Sequence, residues 1–97
     1  MEYVLENLNA EQIKNVCQVL ADIQAHIEQQ GKTEHLDLGA LEGLEGVLRS
    51  DHKAIIDSLI KNRVLALTFP DNYNGTYMVN VDKAAFDQLY QKLQSKL

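Results

Sequence analysis

Apolar residues recur every three or four positions over the first third of the chain, which predicts one amphipathic helix over residues 10–30. The residues of this apolar stripe are Ile13, Val16, Cys17, Leu20, Ile23 and Ile27. Asn9 is a favoured N-cap residue, and Gln12 stands three positions later, where a capping-box partner belongs. Gly31 suits the left-handed conformation that ends many helices. The sequence therefore predicts both ends of this helix and its buried face.

The next segment carries weaker signals. Residues 33–38 alternate polar with apolar side chains, which fits either a brief strand or an extended linker. Asp37 can cap a second helix over residues 38–45. Because Gly39 and Gly43 lie within this helix, its intrinsic helix propensity is low. We therefore expect it to depend on packing by its leucines.

A third helix and a hairpin are predicted after it. Ser50 or Asp51 caps the third helix, which ends near residue 62. Its apolar positions are Ile55, Ile56, Leu59 and Ile60. Two β-favouring runs within residues 64–81 then flank the turn signal Asn74-Gly75, the pattern of a β-hairpin.

A last helix completes the order. Asp82 caps it, and it spans residues 82–97. Its apolar stripe consists of Phe86, Leu89, Tyr90, Leu93 and Leu97. A two-stranded hairpin is not stable alone and needs a helical layer beneath it. The prediction is one α+β, mainly α domain over residues 1–97, a winged helix–turn–helix with three helices, a two-stranded wing hairpin and a C-terminal helix.

The residues from 38 to 65 carry a resemblance that supports this order. Gly46 and Val47 give a glycine and then an apolar residue, which suits a corner between two helices. Apolar residues stand where the next helix packs inward and where the following strand opens, at Ile55, Ile56, Leu59, Val64 and Leu65. Over residues 38–81 the chain resembles the winged helix–turn–helix of small MarR- and PadR-type regulators.

Three positions depart from that family pattern. Arg63 stands where the family usually has a glycine before the strand, and His52 where a small apolar residue is common. The wing carries no basic residue, whereas DNA-binding wings commonly do, and Asp71 in it would repel phosphate.

The resemblance implies a non-enzymatic, DNA-binding transcription regulator whose third helix, within a helix–turn–helix over residues 38–62, enters the major groove. The implied contacts to bases and phosphates on this helix are Ser50, Lys53, Asp57 and Ser58. The implied phosphate contacts are Arg49, Lys61 and Arg63. The implied wing-tip contacts are Asn72, Tyr73 and Asn74. It also implies a homodimer through the first and last helices, whose two recognition helices read related half-sites.

Charge leaves a second interpretation open. The net charge is −5, which argues mildly against nucleic acid as a partner. Residues 1–48 carry nine acidic and two basic side chains, whereas residues 49–97 carry five acidic and seven basic ones. The alternative is an acidic protein–protein interaction module that presents Glu42, Glu45 and the wing tip to a basic or mixed surface. The predicted contact residues would then be ordinary solvated positions.

The remaining chemistry points to no catalysis, metal site or cofactor. Cys17 is the only cysteine and lies on an apolar stripe, which indicates a buried structural thiol. His26, His35 and His52 do not share a metal-ligand spacing. The acidic N-terminal residues do not resemble a signal peptide, and we expect a cytoplasmic protein.

Overall fold

In the computed structural model, which describes residues 2–68 and 76–97, helices pack against one face of a small sheet to give an α+β arrangement. The elements follow in the order α1 (Ala10–Gln30), β1 (Leu36–Asp37), α2 (Arg49–Lys61), β2 (Leu65–Leu67), β3 (Met78–Val81) and α3 (Lys83–Gln94). The described residues thus form three helices and one three-stranded antiparallel sheet of order β1-β3-β2.

α1 begins and ends as its sequence predicts. The Asn9 side chain accepts a hydrogen bond from the Gln12 backbone N–H (2.8 Å), and the Gln12 side chain accepts one from the Asn9 N–H (3.0 Å). These two bonds form a capping box. Gly31 follows with φ +66°, the left-handed conformation, and its N–H donates to the Ile27 carbonyl. The predicted caps at both ends are confirmed.

The apolar side of α1 is buried within a single chain. Val16, Val19 and Leu20 are 0% exposed, and α2, α3 and β1 all pack against this helix. The remaining buried residues of α1 are Ile13, Cys17, Ile23 and Ile27. The homodimer stays a prediction. The apolar stripe of α1 that suggested a dimer interface is already buried within one chain.

The sheet confirms the antiparallel pairing of the two predicted hairpin strands and one of the two alternatives for residues 33–38, but it has three strands rather than two. β1 is the brief strand, and its Leu36 lies opposite Val79 of β3. On the other side of β3, Leu65 of β2 lies opposite Val81. All four side chains are buried and face the helices. The predicted turn Asn74-Gly75 lies outside the described residues.

A side chain from α1 covers the outer edge of β1. The Gln30 side-chain amide donates to the Asp37 carbonyl (2.8 Å), and its oxygen accepts from the Asp37 N–H (3.0 Å). This paired contact satisfies backbone groups that an edge strand otherwise leaves open.

The predicted helix over residues 38–45 is wrong. The Leu38 N–H donates to the Tyr77 carbonyl (2.9 Å), and the Tyr77 N–H donates to the Gly39 carbonyl (3.0 Å), so the chain continues beside the sheet in an extended form. Gly39 and Gly43 have φ +69° and +101°, whereas a helix requires φ near −60°. The described chain therefore lacks the first helix of the predicted helix–turn–helix.

The Gly46-Val47 pair turns the chain, but not between two helices. Leu44 and Val47 exchange backbone hydrogen bonds of 3.0 and 2.9 Å around a tight turn. Gly46 occupies its third position with φ +82°, as a type II turn requires. Val47 is 4% exposed, so the residue after the glycine does fill a buried position.

α2 begins earlier than predicted, whereas α3 begins where predicted but ends at Gln94 rather than at residue 97. α2 begins at Arg49 after Leu48, whose side chain makes no capping hydrogen bond, so Ser50 and Asp51 lie inside its first turn rather than at its cap. The turn at Val47 brings the chain into the helix earlier than the polar residues suggest. Asp82 caps α3 as predicted by accepting from the Ala85 N–H (3.1 Å). None of the helices in the described ranges could cross a membrane.

Gly43 holds the extended segment 38–48 against α2, which generates a prediction. A Cβ atom at this position would lie 3.1 Å from the Arg49 nitrogen and the Val47 oxygen, whereas one at Gly39 would meet nothing within 4 Å. Gly39→Ala should cost about 1–2 kcal/mol for its positive φ alone. Gly43→Ala should cost at least about 1 kcal/mol more, from backbone overlap. Urea unfolding measures both, and equal losses would contradict this close approach.

Candidate functional site

α2 has one buried and one charged side. Ile55, Ile56 and Leu59 are 0% exposed. The opposite side carries exposed residues at four-residue spacing, which keeps them on one side of a helix. They are Arg49, Lys53, Asp57 and Lys61, with Ser50 beside the first. Arg63 follows just past the helix and is also exposed. We call Arg49, Lys53, Lys61 and Arg63 the cationic face.

Ser58 does not belong to this exposed side. It is 8% exposed, and its hydroxyl donates a 2.7 Å hydrogen bond to the Tyr3 carbonyl. The sequence prediction placed Ser58 with the partner-facing residues because it is polar. The structure instead uses it to fix the N-terminal residues on α2.

Arg63 adopts a backbone conformation that arginine rarely takes. The Val64 N–H donates to the Leu59 carbonyl (2.9 Å) and the Arg63 N–H to the Ile60 carbonyl (3.1 Å), the two bonds of a Schellman motif. Arg63 therefore has φ +63°, a conformation that glycine adopts far more readily than arginine. A non-glycine residue in this region costs about 1–2 kcal/mol. The chain holds an exposed cation at a position where glycine would be more stable.

The N-terminal arm, residues 2–8, lies along the C-terminal half of α2. Tyr3 is 4% exposed, and its hydroxyl accepts a 3.0 Å hydrogen bond from the Asn15 side chain. Burial raises the pKa of the Tyr3 phenol, and the negative charge of Asp51 adds to this shift against the lowering effect of Asn15. Sequence reasoning missed this arm, although an aromatic residue among acidic neighbours was a possible signal.

A groove of about 450 Å³ separates the arm from α2. Its charged lining residues are Glu2, Glu6, Asp57 and Lys61. Three carboxylates and one lysine of the cationic face thus line the same groove.

His52 connects α2 to the extended segment 38–48. It is 4% exposed, and its Nδ1 accepts a hydrogen bond from the Gly43 N–H (3.3 Å). Burial lowers the pKa of His52, while the charge of Asp22 on α1 opposes this effect. The bond requires an unprotonated Nδ1, so the neutral ring fits this site.

The other predicted positions contribute less to this site. Glu42 and Glu45 are exposed on the segment that precedes α2. Asn72, Tyr73 and Asn74 lie outside the described residues. Cys17 is buried, and burial raises the pKa of its thiol, the opposite of nucleophile activation. Within residues 2–68 and 76–97, no group of three or more potential ligands is arranged to hold a metal ion.

Comparisons of the chain with protein-family models, curated proteins and solved structures find no match.

The buried His52 predicts a pH dependence of stability. Because its pKa is lower in the folded than in the unfolded state, the unfolded chain binds more protons near the unfolded pKa of about 6.5. Stability should be complete above this pH and fall as the pH decreases below it, by at most about 1.4 kcal/mol per pH unit. His52→Gln, which keeps an acceptor but cannot titrate, should lose less stability in urea unfolding between pH 7 and 5.5. Parallel losses would contradict the assignment.

The left-handed backbone of Arg63 predicts that Arg63→Gly stabilises the protein. Glycine removes most of the positive-φ cost, so we expect a gain of about 1 kcal/mol. Arg63→Ala is the matched control, because it removes the same charge and retains the cost. Thermal unfolding should separate the two variants by several degrees. If alanine stabilises as much as glycine, charge rather than backbone strain is responsible.

Proposed function

We propose that this protein is a non-enzymatic DNA-binding regulator of winged-helix type, and that the outer side of α2 contacts duplex DNA. The observation that carries the proposal is the cationic face, because three of its four residues project from a helix whose other side is fixed in the core. The fourth, Arg63, is exposed just past the end of that helix. The antiparallel hairpin β2–β3 directly after α2 also supports it, since the winged-helix resemblance implies this order.

The proposed contacts follow from side-chain chemistry. Arg49, Lys53, Lys61 and Arg63 are long cations that suit phosphate oxygens. Ser50 and Asp57 lie between them and carry acceptors for base edges, Asp57 for the amino group of cytosine. From Arg49 to Lys61 the helix extends about 18 Å, at about 1.5 Å per residue. Arg49 and Lys61 therefore flank the proposed base contacts along one helix.

The strained Arg63 supports a binding role for its side chain. Residues in costly backbone conformations persist where surrounding structure imposes them, and they concentrate at functional sites. At Arg63, glycine would satisfy the Schellman motif at lower cost. The presence of arginine at this position therefore agrees with a role for its positive charge in binding.

The proposal predicts a defined salt dependence. Four phosphate contacts should give a slope of about −3 to −4 for log K against log salt. Lys53→Ala should reduce that slope by about 1. The control is Lys92→Ala, which removes the same charge from an exposed position on α3. Fluorescence anisotropy with a random-sequence duplex measures both.

The results of this experiment distinguish binding at α2 from binding by overall charge and from no DNA binding. An unchanged slope in Lys53→Ala, or an equal loss in Lys92→Ala, would mean that binding follows overall charge rather than the α2 surface. A folded protein that binds no duplex at low salt would contradict the DNA proposal itself.

The second candidate is the acidic protein–protein interaction module. It is favoured by the exposed carboxylates before α2, at Glu42 and Glu45, together with those of the arm. In this function a partner with a basic surface would be attracted to these carboxylates, which repel DNA phosphates. If the protein is retained on duplex DNA and released by added salt, the DNA-binding function is favoured over the protein-interaction function.

A further inference from the structure

The N-terminal arm is held in place by specific contacts as well as by chain connectivity. Tyr3 is buried and bonded through both its hydroxyl, to Asn15, and its carbonyl, to Ser58. The Gln12 side chain donates a further hydrogen bond to the Glu2 carbonyl (3.2 Å). These bonds join the arm to both α1 and α2, so its position relative to α2 is determined.

This position sets carboxylates beside the cationic face. Glu2 and Glu6 are exposed and line the groove from the arm, while Asp57 and Lys61 line it from α2. Arg49 and Lys53, at the other end of α2, do not line this groove. The acidic side chains of the arm therefore act on one half of the cationic face more than on the other.

We propose that the arm is an autoinhibitory element that restrains DNA binding by repelling phosphates from the Lys61 end of α2. The inference rests on the proposed function of that helix. Carboxylates within one Debye length of a bound phosphate, about 10 Å at 0.1 M salt, are only partly screened. Glu2 and Glu6 therefore weaken the attraction of phosphate to Lys61 more than to Arg49 and Lys53, which do not line the groove.

Ser58→Ala distinguishes this inference from a direct contact between Ser58 and DNA, because the two predict opposite changes in DNA affinity. If Ser58 contacted DNA, as its sequence position suggested, Ser58→Ala would weaken binding. In the structure its hydroxyl bonds the Tyr3 carbonyl, so Ser58→Ala loosens the arm. The inference therefore predicts tighter DNA binding for Ser58→Ala than for the unaltered protein, and greater hydrogen exchange in the arm.

The direct test neutralises the arm without removing its Tyr3 contacts. Glu2→Gln combined with Glu6→Gln should tighten binding to a random-sequence duplex about five-fold at low salt, and the gain should shrink as salt rises. The charge-matched control is Glu28→Gln combined with Glu34→Gln, which alters two exposed carboxylates outside the arm. The control should change affinity much less, and circular dichroism verifies that each variant is folded.

Each result supports or overturns autoinhibition, the proposed function, or both. Tighter binding by the arm variant alone supports the inference, including the case in which the unaltered protein binds too weakly to measure. Equal tightening in the control overturns autoinhibition and leaves the proposed function intact, as does an unaltered affinity in the arm variant. Absence of binding in every folded variant overturns both proposals.

Discussion

The burial of α1 is the constraint on which the other elements depend. Its apolar residues are covered by α2, α3 and the first strand, and they form the largest continuous part of the core. A chain of this length has only one modest core, so α2, α3 and β1 bury apolar residues against the same helix, and β2 joins that core through α2. The charged side of α2 faces outward because Ile55, Ile56 and Leu59 must face inward.

The segment before α2 fixes where that helix begins. Left-handed glycines let residues 38–48 follow the sheet and turn tightly, while Leu38, Leu41 and Val47 still reach the core. The bond from Gly43 to His52 then joins the segment to the first turns of α2. The segment thus supplies apolar contacts in an extended form where the sequence had suggested a short helix.

The sequence predicted those elements whose signals are local. α1 and α3 have side-chain caps and periodic apolar residues, and both were located closely. The failure at residues 38–45 arose because leucines three apart fit a helix as well as an irregular buried segment, and because the sign of φ at glycine depends on tertiary contacts. The same limit applies to the site. Exposed cations on α2 followed from periodicity, but the buried Ser58 and the N-terminal arm depend on a contact between residues 55 positions apart.

The central claim is that DNA binds the outer side of α2, and chemical-shift mapping tests it most directly. A ¹⁵N-labelled protein titrated with a short duplex at low salt should show its largest amide shifts at residues 49–53 and 61–63, and these should reverse as salt is added. The exposed sheet residues Asp37, Ala66 and Asn80 should change little. Shifts concentrated on the sheet, or none in a folded sample, would contradict the account.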